Sequence, residues 1–334
     1  MTTKFSRRRF IGITAAAAAL AAVPSVWRHG AAAGKTLPEP VVWQGIALGA
    51  GAEIRLYHPD RRFAENLIVK AVAEIARLEK TFSLYRDDSL LVHLNQTGRL
   101  NNPPADFLAL LSLSRSIHAL TQGAFNPGIQ PLWNVYAKHF ARHPQSTSAP
   151  PSADLAAALT LADFNAVGFD SRSVRLDKPG MALSFNGIAQ GYITDRITDM
   201  LRNAGLEQAL VDLGEIRALD TARRRTWQAG IRNPDDETAV LLNIELQNQA
   251  LATSGGYGTH MDEAGRFTHL FNPHTGSSSP RYRSVSVTAA DAAVADALST
   301  AFSVMDKTAV EKTAAALPGL KAWLVTATGR IETV

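Results

Sequence analysis

The stretch LSFNGIAQGYITDRI, Leu183 to Ile197, constrains the fold of this chain more than any other. A short apolar run meets a turn of Asn186 and Gly187, and an amphipathic helix follows. Ile193, Ile197, Met200 and Leu201 recur at helical spacing, and Gly205 stops the helix. A turn feeding a helix N-terminus presents unbonded backbone N–H groups and the positive end of the helix dipole, which suits phosphate. A second segment, VADALSTAFSVM from Val294 to Met305, reads as another helix. Its Asp296 and Thr300 are four residues apart and share one face. A carboxylate and a hydroxyl so placed are hard oxygen donors of the kind Mg2+ accepts.

Around these segments the pattern alternates between strands and helices. Strands are predicted at Val41 to Tyr57, Ala209 to Asp220, Trp227 to Ile231, Leu241 to Leu246, Ala250 to Ser254, Ser284 to Ala289 and Lys321 to Thr326. Helices are predicted at Ala64 to Lys80, where Ile68, Val72, Ile75 and Leu78 form one stripe, at Ala105 to Thr121, and at Val310 to Leu317. Ser89 is placed to cap a further helix after the polar turn Arg86-Asp87-Asp88. HPQSTSAPPSAD, His143 to Asp154, reads as a surface loop. No repeat of fixed period is present. The expectation is an α+β fold, mixed sheets covered by helices in a single domain.

The N-terminus reads as an address. Ser6-Arg7-Arg8-Arg9-Phe10-Ile11 has the twin-arginine export pattern, an alanine-rich run follows, and Ala31-Ala32-Ala33 offers a cleavage site. Residues 1–33 are therefore expected to be a signal peptide, 40–334 the mature domain, and the periplasm its location. The formal charge of +4 includes Lys4, Arg7, Arg8, Arg9 and Arg28; removing those five leaves −1, so the charge gives no argument for nucleic acid binding. The chain has no cysteine, which excludes disulfides, thiolate metal sites and a Cys nucleophile. No G-x-G-x-x-G follows a strand, and Thr253-Ser254-Gly255-Gly256 lacks the G-x-S-x-G elbow, so a Rossmann dehydrogenase and a serine hydrolase both fit poorly.

Seven segments in order, FSLYRDDSLLVHLN, GAFNPGIQPLW, LSFNGIAQGYITDR, ALVDLGEIR, ALATSGGY, THLFNPHTG and ADALSTAFSVM, resemble the ApbE-type FAD:protein FMN transferases. The resemblance spans roughly residues 40 to 330. It implies a T-fold-like domain that moves FMN from FAD onto a Ser or Thr hydroxyl of a target protein, through a phosphoester bond, with release of AMP. It implies Mg2+ held by the Gly187 carbonyl, Asp296 and Thr300, with Ser299 alongside. It also implies FAD contacts from Leu48, Tyr85, Ala124, Phe125, Asn126, Ser184, Gln190 and Leu270. The implied partners are FAD itself and an acceptor with a Ser/Thr flavinylation motif, a membrane or periplasmic redox protein. Nitrous oxide reductase maturation is one system such a branch would serve.

Three positions that are acidic in the family pattern are not acidic here: Asn126, Ser184 and Asn272. An Asn or Ser changes hydrogen-bond polarity at the ligand. Two alternatives to transfer therefore stay open, an FAD pyrophosphatase using water and a non-enzymatic periplasmic FAD carrier. In the transfer reading His269 is the candidate general base, its pKa class suiting neutral pH; a hydrogen-bonded, half-buried histidine is the competing reading. His260 and His274 are weaker candidates. Trp133 and Tyr136 either stack on the flavin ring or pack in the core.

Overall fold

The computed structural model describes residues 38–278 and 280–334; the signal-peptide reading of residues 1–33 lies outside them. The first strand prediction resolves into a hairpin, β1 (Val41–Ala47) and β2 (Ala50–Tyr57). Leu48 and Gly49 both take positive φ, 48° and 83°, and form a two-residue turn closed by the Ala47↔Ala50 pair. A leucine in the left-handed region is uncommon, so the turn left little trace in the sequence.

Helix α1 (Arg61–Phe82) follows, capped by the Asp60 carboxylate, then α2 (Leu90–Thr97), capped by Ser89 as expected. After β3 (Arg99–Asn101) come α3 (Ala105–Leu120), α4 (Gln130–Arg142) and α5 (Ser152–Leu161). Strands β4 (Val167–Phe169) and β5 (Ser173–Leu176) join β3 in a small antiparallel sheet. Helix α6 (Ala189–Asn203) leads to the hairpin β6 (Gln208–Asp212) and β7 (Ile216–Asp220), another single-strand prediction that splits in two at Gly214. Next come β8 (Trp227–Asn233), β9 (Asp236–Leu246), β10 (Ala250–Gly255) and β11 (Ser284–Ala289). Helices α7 (Ala292–Phe302) and α8 (Lys307–Ala315) and strands β12 (Lys321–Val325) and β13 (Ile331–Thr333) close the chain.

Among the described residues the main sheet has eight strands in the order β1-β2-β6-β7-β10-β11-β12-β13, antiparallel throughout. Its faces separate by the period of two that a strand imposes. Ile54, Leu56, Ala209 and Val211 point into the large core with α1, α6 and α7. Tyr57, Leu210 and Ala218 point the other way, against Trp227, Ile231 and Leu246 of the β8–β9 hairpin. The α+β expectation is met. Helices α4 and α5 were not foreseen; they pack Leu132, Tyr136, Phe140 and Ala158 into a separate cluster with Met261 and Phe271.

Candidate active site

The site is built where α6 crosses α7. Two glycines, Gly187 in the turn before α6 and Gly191 in its first turn, permit the approach. A Cβ at Gly191 would lie 2.3 Å from the carbonyl oxygen of Ala292, and one at Gly187 would lie 2.8 Å from Oγ1 of Thr300. The N–H of Gly191 donates to Oδ2 of Asp296 at 3.1 Å. The proposed metal donors Gly187, Asp296 and Thr300 thus lie together, although 105 residues separate Gly191 from Asp296. Ser254 of β10 was missed as a member of this group. Its hydroxyl bonds Oγ of Ser299 at 2.7 Å and Oγ1 of Thr300 at 3.2 Å.

The electrostatics of the crossing are negative. Asp296 is buried, and burial pushes its carboxyl up to about 7; the Gly191 N–H opposes this and the Asp195 charge adds to it. Glu215 is also buried, and burial, with Asp296 beside it, holds it well above the usual carboxylate range. Asp195 on α6 is pushed up to about 6 by burial, against the pull of Arg217. It has a structural duty: Oδ1 and Oδ2 accept from the N–H groups of Ala292 and Ala293 at 2.8 and 2.9 Å, capping α7 from a neighbouring helix. Arg217 is committed to Asp195 and Asp291. Asp296 therefore has, among the described residues, one N–H partner, hydroxyls nearby and no cation of its own. Among the described residues no cluster of three or more His, Cys, Asp or Glu surrounds a point, so the donor set is one carboxylate with hydroxyl and carbonyl oxygens. That hard, anionic set fits Mg2+.

Beside the crossing lies a cleft of about 480 Å³ whose walls include Leu48, Glu79, Tyr85, Trp133, Asn186, Gln190 and His269. The turn Asn186–Gln190 belongs to both features. Asn186 Nδ2 donates to the Tyr85 hydroxyl at 2.9 Å, and Leu48 N–H donates to Glu79 Oε1 at 2.6 Å. Gln190 reaches the Leu213 carbonyl at 3.5 Å. His269 Nδ1 lies 3.2 Å from the Thr259 carbonyl, an acceptor only, so Nδ1 carries the proton and Nε2 offers its lone pair. Burial keeps this imidazole below its ordinary pKa, hence neutral at pH 7.

Of the candidate FAD contacts, Leu48, Tyr85 and Gln190 line this cleft and five do not. Ala124, Phe125 and Leu270 are buried in the interior. Ser184 is half-buried and accepts from the Asn186 N–H. Asn126 faces a different cavity, of about 410 Å³, and its amide holds the Ala162 carbonyl and the Gly128 N–H, each at 2.8 Å. His274 lines that second cavity, and His260 is exposed. Trp133 lines the first cleft, whereas the Tyr136 hydroxyl donates to the Gly276 carbonyl in the core. Glu79 and Asn186 were missed: each meets its cleft partner across a long sequence separation.

The family model for the ApbE family matches residues 48–324. The FAD:protein FMN transferase of Treponema pallidum is 31% identical over 323 residues, covering 84% of this chain and 83% of that relative. That of Klebsiella pneumoniae is 29% identical over 244 residues, 70% of this chain and 72% of the relative. The structure resembles the flavin transferase ApbE from Vibrio cholerae, with a TM-score of 0.75 at 24% identity over 90% of this chain and 97% of that one. It also resembles the ApbE protein from Thermotoga maritima, with a TM-score of 0.75 at 25% identity over 88% and 96%.

Proposed function

The chain belongs to the ApbE family, and from that premise we propose that it transfers FMN from FAD to a Ser or Thr hydroxyl of an acceptor protein, releasing AMP. The observation that carries the proposal is the adjacency of a nucleotide-sized cleft to the oxygen donors of the α6–α7 crossing, joined by the Asn186–Gln190 turn. Gly187, Asp296 and Thr300 would hold Mg2+, which when bound supplies positive charge beside the pyrophosphate of FAD.

The chain's own residues account for the rest. The acceptor hydroxyl oxygen forms a bond to the FMN-side phosphorus. The bond from that phosphorus to the bridging oxygen breaks, and AMP leaves with that oxygen. His269 Nε2 takes the hydroxyl proton, and the Thr259 carbonyl fixes the tautomer that leaves Nε2 free to do so. Tyr85, Leu48 and Trp133 offer aromatic and apolar surface to the flavin or adenine ring. Gln190 and Asn186 offer amides to its polar edges. The twin-arginine pattern of residues 1–33 supports a periplasmic reaction with an exported or membrane-bound redox protein as acceptor.

The test combines purified protein, FAD, Mg2+ and a redox-protein domain bearing an exposed Thr or Ser motif. In-gel flavin fluorescence on the domain and stoichiometric AMP are expected, both lost in Asp296→Ala. AMP without labelled protein would establish FAD hydrolysis instead, and FAD retained without AMP would establish a carrier.

A further inference from the structure

β1 is an outer strand of the main sheet; β2 pairs one side of it, and no described strand pairs the other. The Leu48–Gly49 loop closes on Ala47↔Ala50, and a two-residue hairpin loop is flanked by a hydrogen-bonded pair. Hydrogen-bonded and non-bonded pairs alternate along an antiparallel ladder. Trp43, Gly45 and Ala47 therefore bond to β2, and the backbone N–H and C=O groups of Val42, Gln44 and Ile46 face the open edge. Side chains alternate likewise. Val41 and Ala47 are buried in the main core with Trp43 against it, while Val42 and Ile46 are 45% and 65% exposed.

Soluble proteins guard such edges with lysine, proline, bulges or very short strands. β1 has seven residues, no charged residue and no proline, and its register with β2 is unbroken. The strand also has a direction: its C-terminal end runs straight into Leu48, Gly49 and Ala50, which wall the cleft. The unguarded edge and the cleft are thus one continuous surface.

We propose that β1 is the docking strand for the acceptor protein. An extended segment of the acceptor adds to this edge through main-chain hydrogen bonds, sets apolar side chains on Val42 and Ile46, and carries its hydroxyl residue past Leu48 into the cleft. The inference rests on the transferase reading above and names the surface that its protein substrate uses. An extended occupant suits the distances: at about 3.3 Å per residue, two residues beyond Ile46 span ~7 Å, enough to pass the turn. Strand addition takes affinity from the backbone and specificity from alternate side chains, so it serves an acceptor motif set on a mobile segment.

The test uses the full chain and, as probe, a redox-protein domain that the wild-type protein, FAD and Mg2+ label with fluorescent FMN. Ile46→Lys and Val42→Lys, both at exposed positions, are expected to raise the KM for that domain at least tenfold while kcat and FAD affinity stay within twofold. Hydrogen exchange at the amides of Val42, Gln44 and Ile46 should slow only when the domain is added. An unchanged KM in both variants, with the wild type active, overturns the docking proposal and leaves the transferase reading intact. Amides already protected in the chain alone overturn it too, because the chain's own N-terminal segment or a second copy then covers the edge. A wild-type protein that labels no domain overturns both.

Discussion

Replacing Gly191 by alanine separates the fold from the chemistry. The new methyl would lie 2.3 Å from the Ala292 carbonyl oxygen, 2.5 Å from its carbon and 2.7 Å from Ala293 Cα, all backbone atoms of α7. No rotamer change relieves a backbone clash, so α6 and α7 must separate, which puts the overpacking at the upper end of its range, ~3 kcal/mol. Separation also stretches the Gly191 N–H bond to the buried Asp296 carboxylate; a hydrogen bond to a charged group contributes about 1.5–3 kcal/mol. Alanine returns about 1 kcal/mol through helix propensity. The net expectation is a loss of ~4 kcal/mol in equilibrium urea unfolding followed by circular dichroism. Gly187→Ala is the contrast. The three atoms nearest its methyl are all in the Thr300 side chain, the closest being Oγ1 at 2.8 Å. Thr300 can turn aside, so stability should fall by about 1 kcal/mol or less, while the displaced hydroxyl weakens the Mg2+ response. A Gly191→Ala protein within ~1 kcal/mol of wild type would refute the reading of the helix crossing.

Three further outcomes are expected. His269→Gln should lower kcat/KM by about 10²-fold or more with FAD affinity little changed; the acidic limb of the wild-type profile should lie below the ordinary histidine pKa, because burial lowers it, and should vanish in the variant. A variant within threefold of wild type with the limb intact would remove His269 from the mechanism. The folded-state pKa values of Asp296 and Glu215 are raised above their unfolded values, that of Asp296 to about 7, so the folded chain holds those protons more tightly and loses stability as pH rises above the ordinary carboxylate range and through the folded-state values. Without Mg2+ the thermal midpoint should therefore be higher at pH 5.5 than at pH 8. Protons and cation compete for one carboxylate, so the Mg2+-induced rise in midpoint should be larger at pH 8, and it should be absent in Asp296→Ala. A rise that is equal at both pH values would place the cation elsewhere.

The parts of the site that could be read from sequence are those whose geometry is local. Asp296 and Thr300 share a helix face because spacing alone fixes them, and Gly187 lies in the turn that leads directly into the helix carrying Gly191. Tyr85 with Asn186, and Leu48 with Glu79, are contacts made by the fold, so the sequence carried no signal for them. The same division runs through the elements. α1 and α6 announced themselves through apolar stripes. α4 has a stripe too, Leu132, Tyr136 and Phe140 at intervals of four, but Pro131 at its start and the polar residues between hid it. β1 and β2 were fused because the turn that separates them uses Leu48 where a hairpin signal would be Asn or Asp.

The residues that stand at the three non-acidic positions differ in what their side chains hold. Asn126 Oδ1 accepts from the Gly128 N–H, and Asn272 Oδ1 accepts from the N–H groups of His274 at 2.9 Å and Thr275 at 3.3 Å. In both turns the working atom is a side-chain oxygen acceptor, which aspartate supplies equally well. Replacing aspartate by asparagine there leaves the backbone turn intact, and at Asn126 it adds a donor that ties the turn to the Ala162 carbonyl. Neither asparagine lines the cleft beside the α6–α7 crossing, where Asp296 is buried with Glu215 of the β6–β7 turn near it. Asn126 and Asn272 thus read as preserved turn scaffolding, Asn126 beside the second cavity rather than the cleft. Among the three replacements only Ser184, too short to reproduce a carboxylate's reach and bonded locally to the Asn186 N–H, removes a group that the neighbouring donors do not replace. Of the three replacements Ser184 is therefore the one next to the cleft, because its turn partner Asn186 lines the cleft and Gly187 follows at the helix crossing.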